Sequence, residues 1–233
     1  MLMVTGLHGM TASSAVLHKS TQIDGVPVEY EVVLPNGYDA SKAYPAVLAF
    51  GGGPQTVEID QRIIEENFRA QAEKRGYIVI MPAAPQGQLF YQGGERIIPA
   101  FLHQILSDYR IKGGKFRAAG MSNGGISAFE VASLYPQFFV SITGLPGYLL
   151  FPTDEHIAAI SRLCIHMFVG DQDERGFESP MQEQATRFRQ LGIAVTYRLE
   201  KGQSHHIEAL TGPGASVLFD QFDRDQHGCS RAH

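Results

Sequence analysis

The run Gly120-Met121-Ser122-Asn123-Gly124, with Gly125 behind it, constrains this chain more than any other segment. A serine framed by glycines in this pattern sits on a strand-to-helix turn so tight that larger neighbouring side chains would collide with one element or the other. The flanks meet that demand. Lys115-Phe116-Arg117-Ala118-Ala119 reads as a short strand, and Ile126, Phe129, Val131 and Ala132 recur at near-helical spacing until Pro136. Strand, glycine-framed serine and helix make Ser122 a candidate nucleophile.

The rest of the chain repeats the alternation. Val16 to Gln22 and Val26 to Leu34 flank Asp24-Gly25, a two-residue hairpin signal, and Pro35-Asn36-Gly37 closes the second strand. Ala46 to Phe50 is a continuous apolar run, as expected of a strand buried on both faces, and Gly51-Gly52-Gly53-Pro54 ends it. A helix with Ile63, Ile64, Phe68 and Ala72 on one face stops at Gly76. Tyr77 to Met81 is a strand, Ile97 to Leu106 an amphipathic helix, and Phe139 to Thr143 a further strand. Leu163 to Val169 follows as a strand. Ser179-Pro180-Met181-Gln182 is expected to cap a helix reaching Leu191, before a last strand at Ile193 to Leu199 and a helix near Val217 to Phe222. The pattern predicts an α/β fold: a mostly parallel sheet, an N-terminal antiparallel hairpin, and helices on both faces. With 233 residues and no linker or repeat, one domain over 1–233 is expected, its core from about 15 to 225 between short tails.

Composition narrows the partners. A net charge of −5 and the lack of any Lys/Arg-rich run argue against nucleic acid or an anionic membrane. No apolar stretch reaches the roughly 18 residues of a membrane helix. Met1 to Leu7 is mildly apolar but lacks the basic start of a signal peptide, so a cytoplasmic setting is expected unless a leader has been removed. Of two cysteines, Cys164 lies in an apolar run and is expected as a buried thiol. Cys229 lies in a polar tail, and no zinc or disulfide spacing is present.

A serine hydroxyl needs an imidazole base oriented by a carboxylate. In a fold of this pattern, acid and base follow the serine in chain order, on loops at the carboxyl ends of later strands. Asp171, Asp173 and Glu174 follow the strand ending at Gly170, and spacing does not separate them. His205 and His206 follow the last strand through Lys201-Gly202-Gln203-Ser204. Other histidines fit less well. His166 is mid-strand and expected in the core, and His103 is on a helix. His156, in the loop before Ala158, precedes the acids. His8 and His18 precede the sheet, and His227 and His233 lie in the tail. An oxyanion would be held by the N–H of Asn123, next after the nucleophile, and by one from the Gly51-Gly52-Gly53 loop.

Taken together, Leu34-Pro35-Asn36-Gly37-Tyr38 to Pro45, the glycine loop, Gly120 to Gly125, Gly170-Asp171-Gln172-Asp173 and Gly202-Gln203-Ser204-His205 resemble the α/β-hydrolase esterases. The likeness is to the branch of polyhydroxybutyrate depolymerases, feruloyl esterases and esterase D, and it covers most of the chain. It implies a Ser122–Asp173–His205 triad, because the family sets its acid third after the glycine ending the strand and its histidine at the end of a G-x-x-H turn. It implies Gly52 as the second oxyanion donor beside Asn123. In relatives a histidine opens that loop; here Phe50 takes its place. No metal or organic cofactor is implied, and the expected partner is a small-molecule ester.

The loops Pro85 to Gly94, with Leu89, Phe90 and Tyr91, and Gly147 to Asp154, with Tyr148, Leu149, Leu150 and Phe151, are expected to wall the substrate site. The stretch between Gly144 and Cys164 is too short for a helix and a large lid together, so an open site for small or soluble esters is expected. The same constellation also serves acyl transfer, thioester or peptide cleavage, and the scaffold serves silent small-molecule receptors.

Overall fold

The computed structural model describes residues 16–226 and 228–229. The N-terminal segment Met1 to Leu7, His8, His227 and His233 lie outside them. The first hairpin forms as its turn dictates. β1 (Val16–Ile23) and β2 (Val26–Val33) pair antiparallel with Ile23 opposite Val26. Asp24 and Gly25 between them both take positive φ, as a two-residue turn matched to strand twist requires.

The continuous apolar runs become the parallel strands β3 (Tyr44–Phe50) and β4 (Ile78–Pro82). Between them lie α1 (Val57–Ile63), a π-helical turn at Ile64–Phe68 and α2 (Arg69–Arg75), which Gly76 ends in the left-handed conformation. α3 (Ile98–Asp108), β5 (Ile111–Gly120), α4 (Asn123–Leu134) and β6 (Phe139–Gly144) continue the alternation. α5 (Asp154–Ile160), β7 (Cys164–Gly170), α6 (Glu178–Gln190), β8 (Val195–Glu200) and α7 (Ser216–Asp225) complete it. The described residues form one eight-stranded sheet in the order β1-β2-β4-β3-β5-β6-β7-β8, antiparallel at β1, β2 and β4 and parallel beyond.

Alternation along β3 divides the core. Leu48 and Phe50 face the side covered by α3, α4, α5 and α6, with Phe101, Phe129, Ile157 and Phe188. Val47 and Ala49 face the side covered by α1, α2 and α7, with Phe68, Phe219 and Phe222. Each large apolar side chain fully buried this way contributes about 1.5–3 kcal/mol. This double covering makes the sheet a rigid platform. Ligands of such sheets bind outside the carboxyl ends of the parallel strands.

Three expectations need correction. Ser179 does not cap α6: the helix already begins at Glu178, and the Ser179 hydroxyl donates to Glu183 at 3.2 Å. Pro180 is still accommodated, because the first turn has no intrahelical acceptor for its N–H groups anyway. His156 lies on α5, whose cap is Thr153, and not in a loop. Cys164 is not a free thiol but is bonded to Cys229, 65 residues on. α7 returns the chain across the sheet to the start of β7, a proximity that local spacing cannot announce.

Candidate active site

Ser122 stands between β5 and α4 with φ 57° and ψ −121°, a strained conformation for a side-chain-bearing residue. Its backbone N–H donates to the Pro146 carbonyl at 2.8 Å, and the Gly124 N–H donates to the Met121 carbonyl at 2.8 Å. The framing glycines are sterically required. A Cβ on Gly120 would strike the Gly124 carbonyl, and one on Gly124 would strike the Phe50 carbonyl. Strain at the serine is thus held by close backbone contact on both sides.

The three acidic candidates after β7 separate cleanly. Asp171 is exposed and accepts the Gly202 N–H at 2.7 Å, which fixes the turn below the histidines. Glu174 is also exposed. Hydrogen bonds from its own backbone N–H and that of His205 hold its carboxyl below the usual carboxylate range. Asp173 alone has a fully buried carboxylate, and its Oδ2 lies 2.8 Å from His205 Nδ1. Its Oδ1 accepts the N–H groups of Arg175 at 2.8 Å and Phe177 at 3.4 Å, which orients the group.

Of the paired histidines, His205 turns inward and His206 outward, where its Nε2 lies 3.9 Å from Glu66. His205 Nε2 is 2.8 Å from Ser122 Oγ. A carboxylate accepting at Nδ1 keeps the proton there, so Nε2 presents a lone pair to the serine hydroxyl. The His205 side chain is 14% exposed, shielded but reachable. Buried Asn67, in the π-helical turn, donates to the Leu210 carbonyl at 2.9 Å and so steadies the segment that follows the histidines.

Gly52 lies against the nucleophile: a Cβ there would sit 3.3 Å from the Met121 carbonyl oxygen and 3.8 Å from Ser122 Cβ. Among the turn, loop and cap bonds of the described residues, neither the Gly52 nor the Asn123 N–H has an acceptor. The Asn123 side chain donates to the Gly53 carbonyl at 2.9 Å, joining the two loops that carry these amides. Phe50 is fully buried, its ring 5.1 Å from that of Phe90. The root of the glycine loop is therefore anchored by apolar packing.

The two expected wall loops contribute unequally. Phe90 and Leu149 are buried in the core, whereas Tyr91, Tyr148, Leu150 and Phe151 are at least partly exposed. Burial, and then the neighbouring Tyr148 hydroxyl, raise the pKa of Tyr91. Sequence reasoning missed Phe177, whose ring meets His205 edge-on at 4.9 Å and Tyr148 at 5.4 Å. Its place four residues after the acid was the available signal. Tyr148 also lines a cleft of about 250 Å³ with Leu150, Pro152, Pro180 and Arg187. Between β6 and β7 the one helix is α5, so no large lid covers this end among the described residues. No described helix is long and apolar enough to cross a membrane.

No protein-family model matches the sequence. The chain is similar to dipeptidyl-peptidase 5 of Porphyromonas gingivalis, 32% identical over 128 residues, half (50%) of this chain but only 19% of that protein. Among solved structures it resembles a thermostable esterase, with TM-score 0.72, 15% identity, and 92% of this chain and 63% of that one covered. It also resembles an S-formylglutathione hydrolase from Agrobacterium tumefaciens, with TM-score 0.68, 16% identity, and 94% and 99% covered. The feruloyl esterase module from Clostridium thermocellum complexed with sinapinate aligns with TM-score 0.71, 15% identity, and 94% and 90% covered. The chain has the α/β-hydrolase fold, and its structural neighbours include esterases.

Proposed function

We propose that the chain is a serine hydrolase that cleaves carboxylic esters of small or soluble substrates. One observation carries the reading: His205 uses its two nitrogens differently, one 2.8 Å from the buried Asp173 carboxylate and one 2.8 Å from Ser122 Oγ. Ser122 Oγ attacks the ester carbonyl carbon as its proton passes to His205 Nε2. The carbonyl oxygen becomes an oxyanion held by the Gly52 and Asn123 N–H groups. The carbon–oxygen bond to the alcohol then breaks, and His205 returns the proton to the leaving alkoxide. Water, deprotonated by the same nitrogen, attacks the acyl-enzyme and frees the acid and Ser122. Asp173 keeps the tautomer and stabilises the imidazolium, while Phe177 and Tyr148 flank the acyl group.

The lack of a large lid supports short or soluble esters, and activity should not jump above the solubility limit of a long-chain ester. The likeness to a dipeptidyl-peptidase favours a second reading, cleavage of small peptides by the same three residues. The Cys164–Cys229 bond supports an oxidising compartment in preference to the cytoplasm. Nitrophenol release from p-nitrophenyl acetate to octanoate, by wild type and Ser122→Ala, tests the ester reading. Dipeptidyl p-nitroanilides run beside them test the peptide one. Serine-dependent turnover of the anilides above that of the esters would replace the first reading with the second.

A further inference from the structure

Gln55 is a buried polar residue beside the glycine loop that the proposed mechanism leaves unused. It is 1% exposed and holds φ at +54°, a left-handed backbone uncommon for a residue with a side chain. Every polar group it has is engaged. Its N–H donates to the Gly52 carbonyl at 3.0 Å and its carbonyl accepts the Ala84 N–H at 2.8 Å. Its side-chain oxygen accepts the Phe90 N–H at 3.1 Å. Its side-chain nitrogen donates to Ser127 Oγ at 2.9 Å, and Ser127 in turn donates to the Asn123 carbonyl at 2.9 Å.

These bonds close a ring around the two amides assigned to the oxyanion. One arm runs from the Gln55 backbone to Gly52. The other runs from the Gln55 side chain through Ser127 to Asn123, whose side chain returns to the Gly53 carbonyl at 2.9 Å. The Phe90 bond ties the same residue to the loop bearing Tyr91. Buried strain of this kind persists only where the surroundings over-determine it, and it gathers at functional sites.

We infer that Gln55 is a positioning residue that sets the spacing and direction of the Gly52 and Asn123 N–H groups. The inference rests on the hydrolase reading above. A donor displaced by a few tenths of an ångström loses its hold on the developing charge while the ground-state ester, which needs it less, still binds. The cost therefore falls on kcat.

The experiment compares wild type, Ser122→Ala, Gln55→Met and Ser127→Ala on p-nitrophenyl acetate, with thermal unfolding as a folding check. It adds binding of an alkylboronic acid, which forms a tetrahedral adduct on a reactive serine. Gln55→Met is expected to lower kcat about 10- to 100-fold, and Ser127→Ala about 3- to 10-fold, with KM within about threefold. Boronate affinity should fall in step with kcat, and the acid limb of the pH–rate profile should stay where it is. An unchanged kcat, or a KM rise with boronate affinity intact, would overturn the positioning role. If Gln55→Met does not fold, Ser127→Ala decides alone. No Ser122-dependent turnover in wild type would overturn the hydrolase reading and this inference with it. Normal wild-type turnover with unaffected variants would overturn the inference alone.

Discussion

The sheet carries a histidine–aspartate pair at each end, and only one of them is arranged for chemistry. At the carboxyl end, His205 divides its nitrogens between Asp173 and Ser122. At the amino end, His166 on β7 turns one nitrogen to both carboxylate oxygens of Asp225, each at 3.1 Å, and its other nitrogen has no partner. That second pair is buried, lines a cavity of about 240 Å³ beside the Cys164–Cys229 bond, and neither His166 nitrogen is hydrogen-bonded to a hydroxyl. A histidine beside a carboxylate is thus no site by itself. The distinguishing features are the free nitrogen's partner and its access to solvent.

The two ends also differ in how their stability is distributed. The carboxyl end holds Ser122 and Gln55 in strained conformations. It also buries Asp60 on α1 against Gly51, with neither carboxyl oxygen bonded. The amino end is cross-linked, and buried Arg117 donates to the Phe222 carbonyl at 3.0 Å. One end gives up stability for geometry, and the other restores it.

The largest test of this division is at the nucleophile. Ser122→Ala should lower ester turnover by at least about 10⁴-fold, whereas Asp225→Asn should leave kcat within about threefold and lower only the urea midpoint. Comparable activity losses from both would erase the contrast. Next, Asp173→Asn should cost about 10³- to 10⁴-fold in kcat, with Asp171→Asn near wild type; a larger loss at Asp171 would reassign the acid.

The smaller effects are in stability. Cys229→Ser should lower unfolding free energy by about 2–4 kcal/mol with kcat little changed, since the bond closes a long loop far from the serine. Asp60→Asn should do the opposite. Burial first, then the charges of Glu31 and Glu58, push the Asp60 carboxyl up to about 9. The folded chain therefore keeps a proton that the unfolded chain releases at ordinary carboxylate pH, and stability drains away as pH rises toward 9. Asn removes that loss, so its advantage should widen from near zero around pH 4 to roughly 5 kcal/mol by pH 8. A difference in urea midpoint independent of pH would contradict it.

The legible parts of this site were those built from neighbours in sequence. The elbow declares itself because strand, glycines and helix adjoin, and the hairpin because Asp24-Gly25 fits one turn. Family likeness was needed to prefer Asp173 over Asp171 and His205 over His206, since inward and outward rotation is decided by the Gly202 and Phe177 contacts. Gln55 bonds to Ser127, 72 residues away, and Cys164 to Cys229, 65 away. No local pattern holds such information. The misplaced α6 cap shows the converse: Ser-Pro-x-Gln fits a helix start, but it also fits a first turn already under way.

Phe50 has a kinetic corollary. A loop rooted on a phenyl ring packed against Phe90 holds its shape without an ionisable group, and Asp60 beneath it stays neutral through the same range. Between pH 5 and 8 the charge of the glycine loop and its support therefore does not change. On the proposed hydrolase reading, any pH dependence of ester turnover across that range then has its origin outside the glycine loop.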